Sequence, residues 1–283
     1  MKKILLLFFV VIFLLNGCSS LGSDKNNKKL NSGEYSFIRG MNHYQKGNPE
    51  KAMEEYLRAY GKTPKNTMLL KEIGLLYGES NNIDNAIIYF EKAHKIDNKD
   101  LETMKNLSSL YYIKKNYKKS NDFLSKIEKI SSNQDNFLLK MKGYIHNGNG
   151  DNTKAYEYLS KVSDNQYDKE YYNIITNVYL DLNKINELHE KFIKGYDNHN
   201  DKKDFMIQYS QIKSKIFKND EEAIVKLLRH ISIYEGDDDL YLTLTQLYVN
   251  TNDLHKAKSS FLLVSESSVY KEEYKNLKNI LRE

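Results

Sequence analysis

The chain has 283 residues, with 43 Lys and Arg against 38 Asp and Glu, a formal charge of +5. Acids and bases are interleaved, as in Glu54-Glu55 and Lys271-Glu272-Glu273. They therefore read as solvated helix faces, and no basic stripe for nucleic acid stands out. A single cysteine excludes an internal disulfide, and with only two prolines, Pro49 and Pro64, long helices can run uninterrupted.

The first segment is Lys2-Lys3, an apolar run from Ile4 to Leu15, then Asn16-Gly17-Cys18. The basic start and short apolar stretch predict a signal peptide over 1–17, because a membrane span needs about 20 apolar residues. Leu15-Asn16-Gly17-Cys18 resembles the lipobox of bacterial lipoproteins, with Asn16 where Ala or Ser is commoner. That resemblance implies cleavage before Cys18 and acylation of that residue, hence an envelope protein held to a membrane by lipid. If the cell has two membranes, Ser19 favours the outer one by the same analogy. Multiple acyl chains anchor stably where one does not. Loss of Lys2 and Lys3 with the leader lowers the charge from +5 to +3. Residues 18–32, rich in Ser, Asn and Lys, are expected to form a flexible tether.

From residue 33 onward a pattern recurs at a spacing of 34. Gly40, Ala52, Tyr56, Ala59 and Pro64 are answered by Gly74, Ala86, Phe90, Ala93 and Asn98. Weaker copies follow around Met104, Leu107-Ser108 and Tyr111, then Leu139, Gly143, Ala155 and Leu159 after a one-residue slip. A fifth, around Tyr172, Ile175, Tyr179 and Phe192, has Leu188 where the others carry a small residue. A sixth rests on Ala223 and Leu227. A seventh recovers the pattern with Tyr241, Leu244, Tyr248, Ala257, Phe261 and Val264. Within each copy the apolar residues fall at i, i+3, i+4 and i+7, which is the stripe of an amphipathic helix. Small residues recur where two helices approach closely. Short polar turns such as Lys46-Gly47-Asn48-Pro49 and Ser80-Asn81-Asn82 separate the helices, with Asn or Asp placed to cap the next one.

These residues resemble the tetratricopeptide repeat (TPR), a helix–turn–helix unit of 34 residues. The resemblance implies an all-α, TPR-type solenoid, a right-handed superhelix of about six to seven repeats over 33–265, degenerate in the middle. Residues 266–283, with Val269, Tyr270, Tyr274, Leu277, Ile280 and Leu281 at helical spacing, are expected to form a capping helix for its exposed end.

Nothing in the sequence marks catalysis, and no cofactor or metal is implied. The seven histidines are scattered, and His189-Glu190 lacks the second His of a zinc helix. Gly148-Asn149-Gly150 has neither the preceding strand nor the following Gly-Lys-Ser/Thr of a phosphate loop. Asp237-Asp238-Asp239 lacks the spacing of a calcium loop and reads as the cap of a helix starting near Leu240. The chain is therefore read as a non-enzyme. A buried polar cluster or an ordered metal in the middle repeats would favour catalysis.

The family resemblance implies a concave groove lined by each unit's first helix, suited to a protein or peptide partner. By repeat place, Phe37, Met41 and Tyr44 would face it in the first unit, Lys71 in the second, Lys105 and Tyr112 in the third, and Lys140 and Tyr144 in the fourth. Lys71, Lys105 and Lys140 hold one place in successive units, continued by Asn173 and Gln208. Such a ladder would hold an acidic segment or a terminal carboxylate, although lysine is so abundant that a solvated face gives the same pattern. The family's carboxylate clamp is incomplete, because Leu75 stands where it needs Asn. The expected function is an envelope adaptor or scaffold; the alternative is a surface lipoprotein that binds host or matrix molecules.

Overall fold

The computed structural model describes residues 31–131, 135–163 and 168–281. The expected signal peptide, Cys18 and nearly all of the tether lie outside the described residues. Among the described residues the structure is all α, with fifteen α-helices, one 3₁₀ turn and no strand. None of these helices is long and apolar enough to cross a membrane.

The helices fall into pairs. They are α1 (Ser32–Gln45) with α2 (Pro49–Tyr60), α3 (Thr67–Glu79) with α4 (Ile83–Ile96), α5 (Leu101–Ile113) with α6 (Tyr117–Glu128), and α7 (Asn136–Gly148) with α8 (Asn152–Leu159). Then come α9 (Lys169–Asp181) with α10 (Ile185–His199), α11 (Lys203–Lys215) with α12 (Asp220–Tyr234), and α13 (Asp238–Asn250) with α14 (Leu254–Phe261). Last are a 3₁₀ turn, Glu266–Ser268, and α15 (Glu272–Leu281). First helices thus begin at residues 32, 67, 101, 136, 169, 203 and 238, so the 34-residue step also runs through the copies that look degenerate in sequence.

Each turn inside a pair is built alike. One residue adopts positive φ in every one: Gly47, Asn81, Lys115, Gly150, Asn183, Lys218 and Asn252. This lets the next N–H reach back into the first helix, as Asn82 N does to Tyr77 O at 2.8 Å. Only two of the seven positions are glycine; Asn tolerates this conformation and Lys accepts its strain. Side-chain caps then start most helices. Asn31 and Glu34 form a reciprocal capping box on α1, and Asp237 accepts from Asp239 N and Leu240 N on α13, as expected of the Asp triplet.

The residues up to Asn98 and those from Lys99 on form two compact units. In the first, Phe37, Ala52, Tyr56, Leu69 and Ile73 form the core. Glycine at 40 is obligatory there, since a Cβ would lie 2.3 Å from Tyr56 Cδ1. In the second, a core runs from Met104 to Leu281. First helices stack on one another, α5 on α7 on α9 and α11 on α13, and the last helix, α15, packs on α13.

The degenerate copies replace glycine without abandoning its place. Gly40, Gly74, Ser108, Gly143, Thr176, Ser210 and Thr245 are equivalent and all buried. The hydroxyls are absorbed locally: Ser108 and Ser120 bond each other's carbonyl oxygens, and Thr245 Oγ1 donates to Tyr241 O at 2.8 Å. In the fifth pair, which carries Leu188 and Thr176 at these places, aromatic rings pack together. Tyr172 lies 5.2 Å from both Phe192 and Phe205, and its hydroxyl occupies the space a Cβ on Gly195 would need.

Candidate interaction groove

The expected lysine ladder is engaged internally. Lys105 Nζ lies 3.0 Å from Asp135 Oδ2, and Lys140 Nζ 3.0 Å from Asp168 Oδ2. Those aspartates are the N-caps of α7 and α9, the first helices of the units that follow. Burial alone would raise the carboxyl of Asp135, yet Lys105 and the amides of Phe137 and Leu138 hold it below its ordinary value. Further along, Gln208 Nε2 donates to Asn173 Oδ1 at 2.6 Å, and Lys203 meets Asp237 at 2.6 Å. The recurring place is a tie between neighbouring units. The charges of Lys105 and Lys140, read from the sequence as receptors for an acidic partner, are each met by an aspartate of the chain itself. Lys71 is half-buried in the first unit.

The aromatic candidates also make contacts within the chain. Phe37 is buried, its ring 5.7 Å from that of Tyr56, and Met41 packs on the same core. Tyr44 donates to Glu79 at 2.5 Å; burial, then Glu79, pushes its hydroxyl up to about 12. Tyr112 lies 5.8 Å from both Tyr117 and Tyr144, and burial pushes it up to about 12 as well. Tyr144 is buried and donates to Asp168 at 3.2 Å. Phe37 and Tyr144 are buried, whereas Met41, Tyr44 and Tyr112 are half-buried.

A groove does open on the first-helix face, in the last three repeats. A cavity of about 610 Å³ is bounded by α9, α11, α13 and α15. Its floor includes the buried side chains Leu242, Leu247 and Leu277, and its walls carry amides, notably Asn173, Gln208, Gln211, Gln246 and Asn250. Three cations, Lys169, Lys215 and Lys271, stand against three carboxylates, Asp204, Asp239 and Glu273. The groove has no excess charge, so it carries no preference for an acidic ligand. Gln211 and Gln246 are exposed and hold the same place in successive first helices, the place of Leu75, Ser109 and Tyr144 earlier in the chain. That periodic amide was the available sequence signal, overshadowed by the lysines one turn away.

A buried polar cluster lies in the middle repeats. Lys213, 2% exposed, pairs with Glu222 Oε2 at 2.8 Å and meets His189 Nε2 at 2.9 Å. Tyr209 donates to Glu222 Oε1 at 2.8 Å. Burial, then its bond to Glu222, raises Tyr209. Burial would also raise Glu222, but Lys213 and Tyr209 outweigh it and hold its carboxyl low. The groups satisfy one another, with Lys213 buried and Glu222 a third exposed, and the arrangement joins α10, α11 and α12. Among the described residues no group of His, Cys, Asp and Glu could hold a metal.

A family model described as tetratricopeptide repeat matches residues 72–100, from within α3 through α4 to the residue before α5. No curated protein matches the chain in sequence. Among solved structures, a tetratricopeptide repeat protein from Parabacteroides merdae is similar over 88% of this chain and 97% of its own, at 16% identity and a TM-score of 0.58. Pseudomonas aeruginosa pilF matches 77% of this chain and 96% of its own, at 14% identity and a TM-score of 0.54. The APC/C hetero-tetramer Cut9–Hcn1 contains a chain matching 90% of this one over 50% of its own, at 16% identity and a TM-score of 0.57. The chain is a tetratricopeptide-repeat solenoid in fold, and residues 72–100 are one such repeat. This is a fold of protein-interaction adaptors and scaffolds.

Proposed function

We propose that this protein is a lipid-anchored adaptor of a bacterial envelope assembly, which holds an extended segment of a partner protein in the groove of its last three repeats. The anchor would be Cys18, on the resemblance of Leu15 to Cys18 to a lipobox. The observation that carries the binding reading is the groove itself: stacked first helices with an apolar floor and two exposed, periodic glutamines. Amides pair with the N–H and C=O of an extended main chain, and the balanced charges suit a polar, uncharged segment.

Photo-crosslinking in the native cell tests this. A photoreactive residue at Gln211 or Gln246 should capture a defined protein, while one at Val225, exposed on second helix α12, should not. Equal capture from Val225, or none from the two glutamines, would remove the groove from the reading. Cys18→Ala should move the protein from the membrane to the soluble fraction; unchanged retention would remove the anchor and leave the groove to stand alone.

A further inference from the structure

Arginine is rare in this chain: Arg39, Arg58, Arg229 and Arg282 are the only four among 43 basic residues. Two of them converge on one carboxylate in the first repeat. Glu55 of α2 is 9% exposed; its Oε2 lies 3.0 Å from Arg39 Nη2 and its Oε1 2.8 Å from Arg58 Nη1. The two guanidinium groups remain more than half exposed, at 56% and 58%. They line a cavity of about 370 Å³ together with Lys62, Tyr35, Ser32 and Ser36. The approach is close because Gly33 leaves room for it: a Cβ there would lie 2.9 Å from Lys62 Cβ.

The chemistry of this pocket differs from the lysine faces elsewhere. A guanidinium carries five donors in a planar fork, and a single carboxylate between two forks fixes their separation without satisfying them. Three cations against Glu55 leave the pocket an excess of two positive charges. A carboxylate offers two coplanar oxygens and one charge, whereas a phosphate offers more acceptors in a tetrahedral array and carries the matching charge. We propose that this pocket binds a phosphate group, with Arg39 and Arg58 clamping it from two sides while Lys62 and the hydroxyls of Ser32 and Ser36 complete the shell. The group is supplied by a phospholipid head or by a soluble phosphate ester. The site is independent of the groove and of the anchor.

The scarcity of arginine makes the test direct. In the isotope-labelled full chain in a zwitterionic detergent, inorganic phosphate should move the Nε–H resonances of Arg39 and Arg58 and leave those of Arg229 and Arg282 in place. Short-chain phosphatidylglycerol should move the same pair. Tighter binding of the lipid than of glycerol phosphate identifies a headgroup as the source, and equal binding identifies a soluble ester. The triple substitution R39Q/R58Q/E55Q removes the forks together with the carboxylate they neutralise, so no buried charge is stranded. It should weaken phosphate binding by at least about tenfold. R39K/R58K keeps the charge and the partners of Glu55 but loses the forks, and should weaken it by about threefold or more. Unmoved amide resonances of Tyr56 and Ala59, in the core beside the site, report that the first repeat of each variant is folded. Four arginines moving alike, none moving, or a triple variant binding as the parent does would overturn the proposal.

Discussion

Glu222→Ala would strand a buried cation. In the native structure Lys213 has 2% of its side chain exposed and, among the described residues, pairs with Glu222 as its anion at 2.8 Å. Its other partners, His189 at 2.9 Å and the rings of Tyr209 and Phe217 at 5.5 and 5.7 Å, carry no full negative charge. Removing one member of such a pair costs about 3–5 kcal/mol, because the remaining charge stays desolvated. Tyr209 also loses its acceptor. Lys213→Met keeps the apolar stem and removes the charge; Glu222, a third exposed, retains water, Tyr209 and Asn219 as donors. That change should cost less than about 1.5 kcal/mol, and the double variant K213M/E222A should be more stable than E222A alone. Because repeat arrays unfold in parts, the reading should be local: amide hydrogen exchange in α11 and α12 should rise about a hundredfold or more in E222A. The pH dependence has a definite sign. The folded carboxyl of Glu222 is held below its ordinary 4.5, so its contribution is complete above that pH and is lost as pH falls below it. If E222A and K213M prove equally mild, or the double variant is the worst of the three, the stranded-charge argument is wrong.

Two further outcomes follow from packing and capping. Gly40→Ala should destabilise the first unit by about 1–3 kcal/mol, since the new methyl meets Tyr56 at 2.3 Å, whereas Gly78→Ala, with no atom within 4 Å, should stabilise it by about 0.5–1 kcal/mol; urea midpoints of the two variants should move in opposite directions. Asp168→Ala should cost more than Lys140→Met, because Asp168 caps Tyr171 N at 3.2 Å and accepts from buried Tyr144 as well as from Lys140. About 2–4 kcal/mol is expected for the first and at most about 1 for the second, measured by exchange in the first turn of α9.

The sequence by itself determined the helical class, the repeat length and the core. Those follow from local periodicity: Tyr56, Phe90 and Phe261 sit one turn beyond a small residue, and each is buried as its place predicted. It also showed where chains must turn, since Asn and Asp mark the caps. The degenerate middle was harder to read, because Ser108, Thr176 and Thr245 do the work of glycine and only their buried hydrogen bonds reveal it. Tertiary structure alone decided what the charges of the candidate site meet within the chain. Lys105 and Asp135 are 30 residues apart, and a helical wheel says nothing about which cap comes to rest beside which lysine. Stacking brought them together, buried Tyr144, and opened the groove beside two glutamines that composition leaves inconspicuous. Periodicity is a property of one helix, whereas a surface available to a partner is what remains after neighbouring helices have taken theirs.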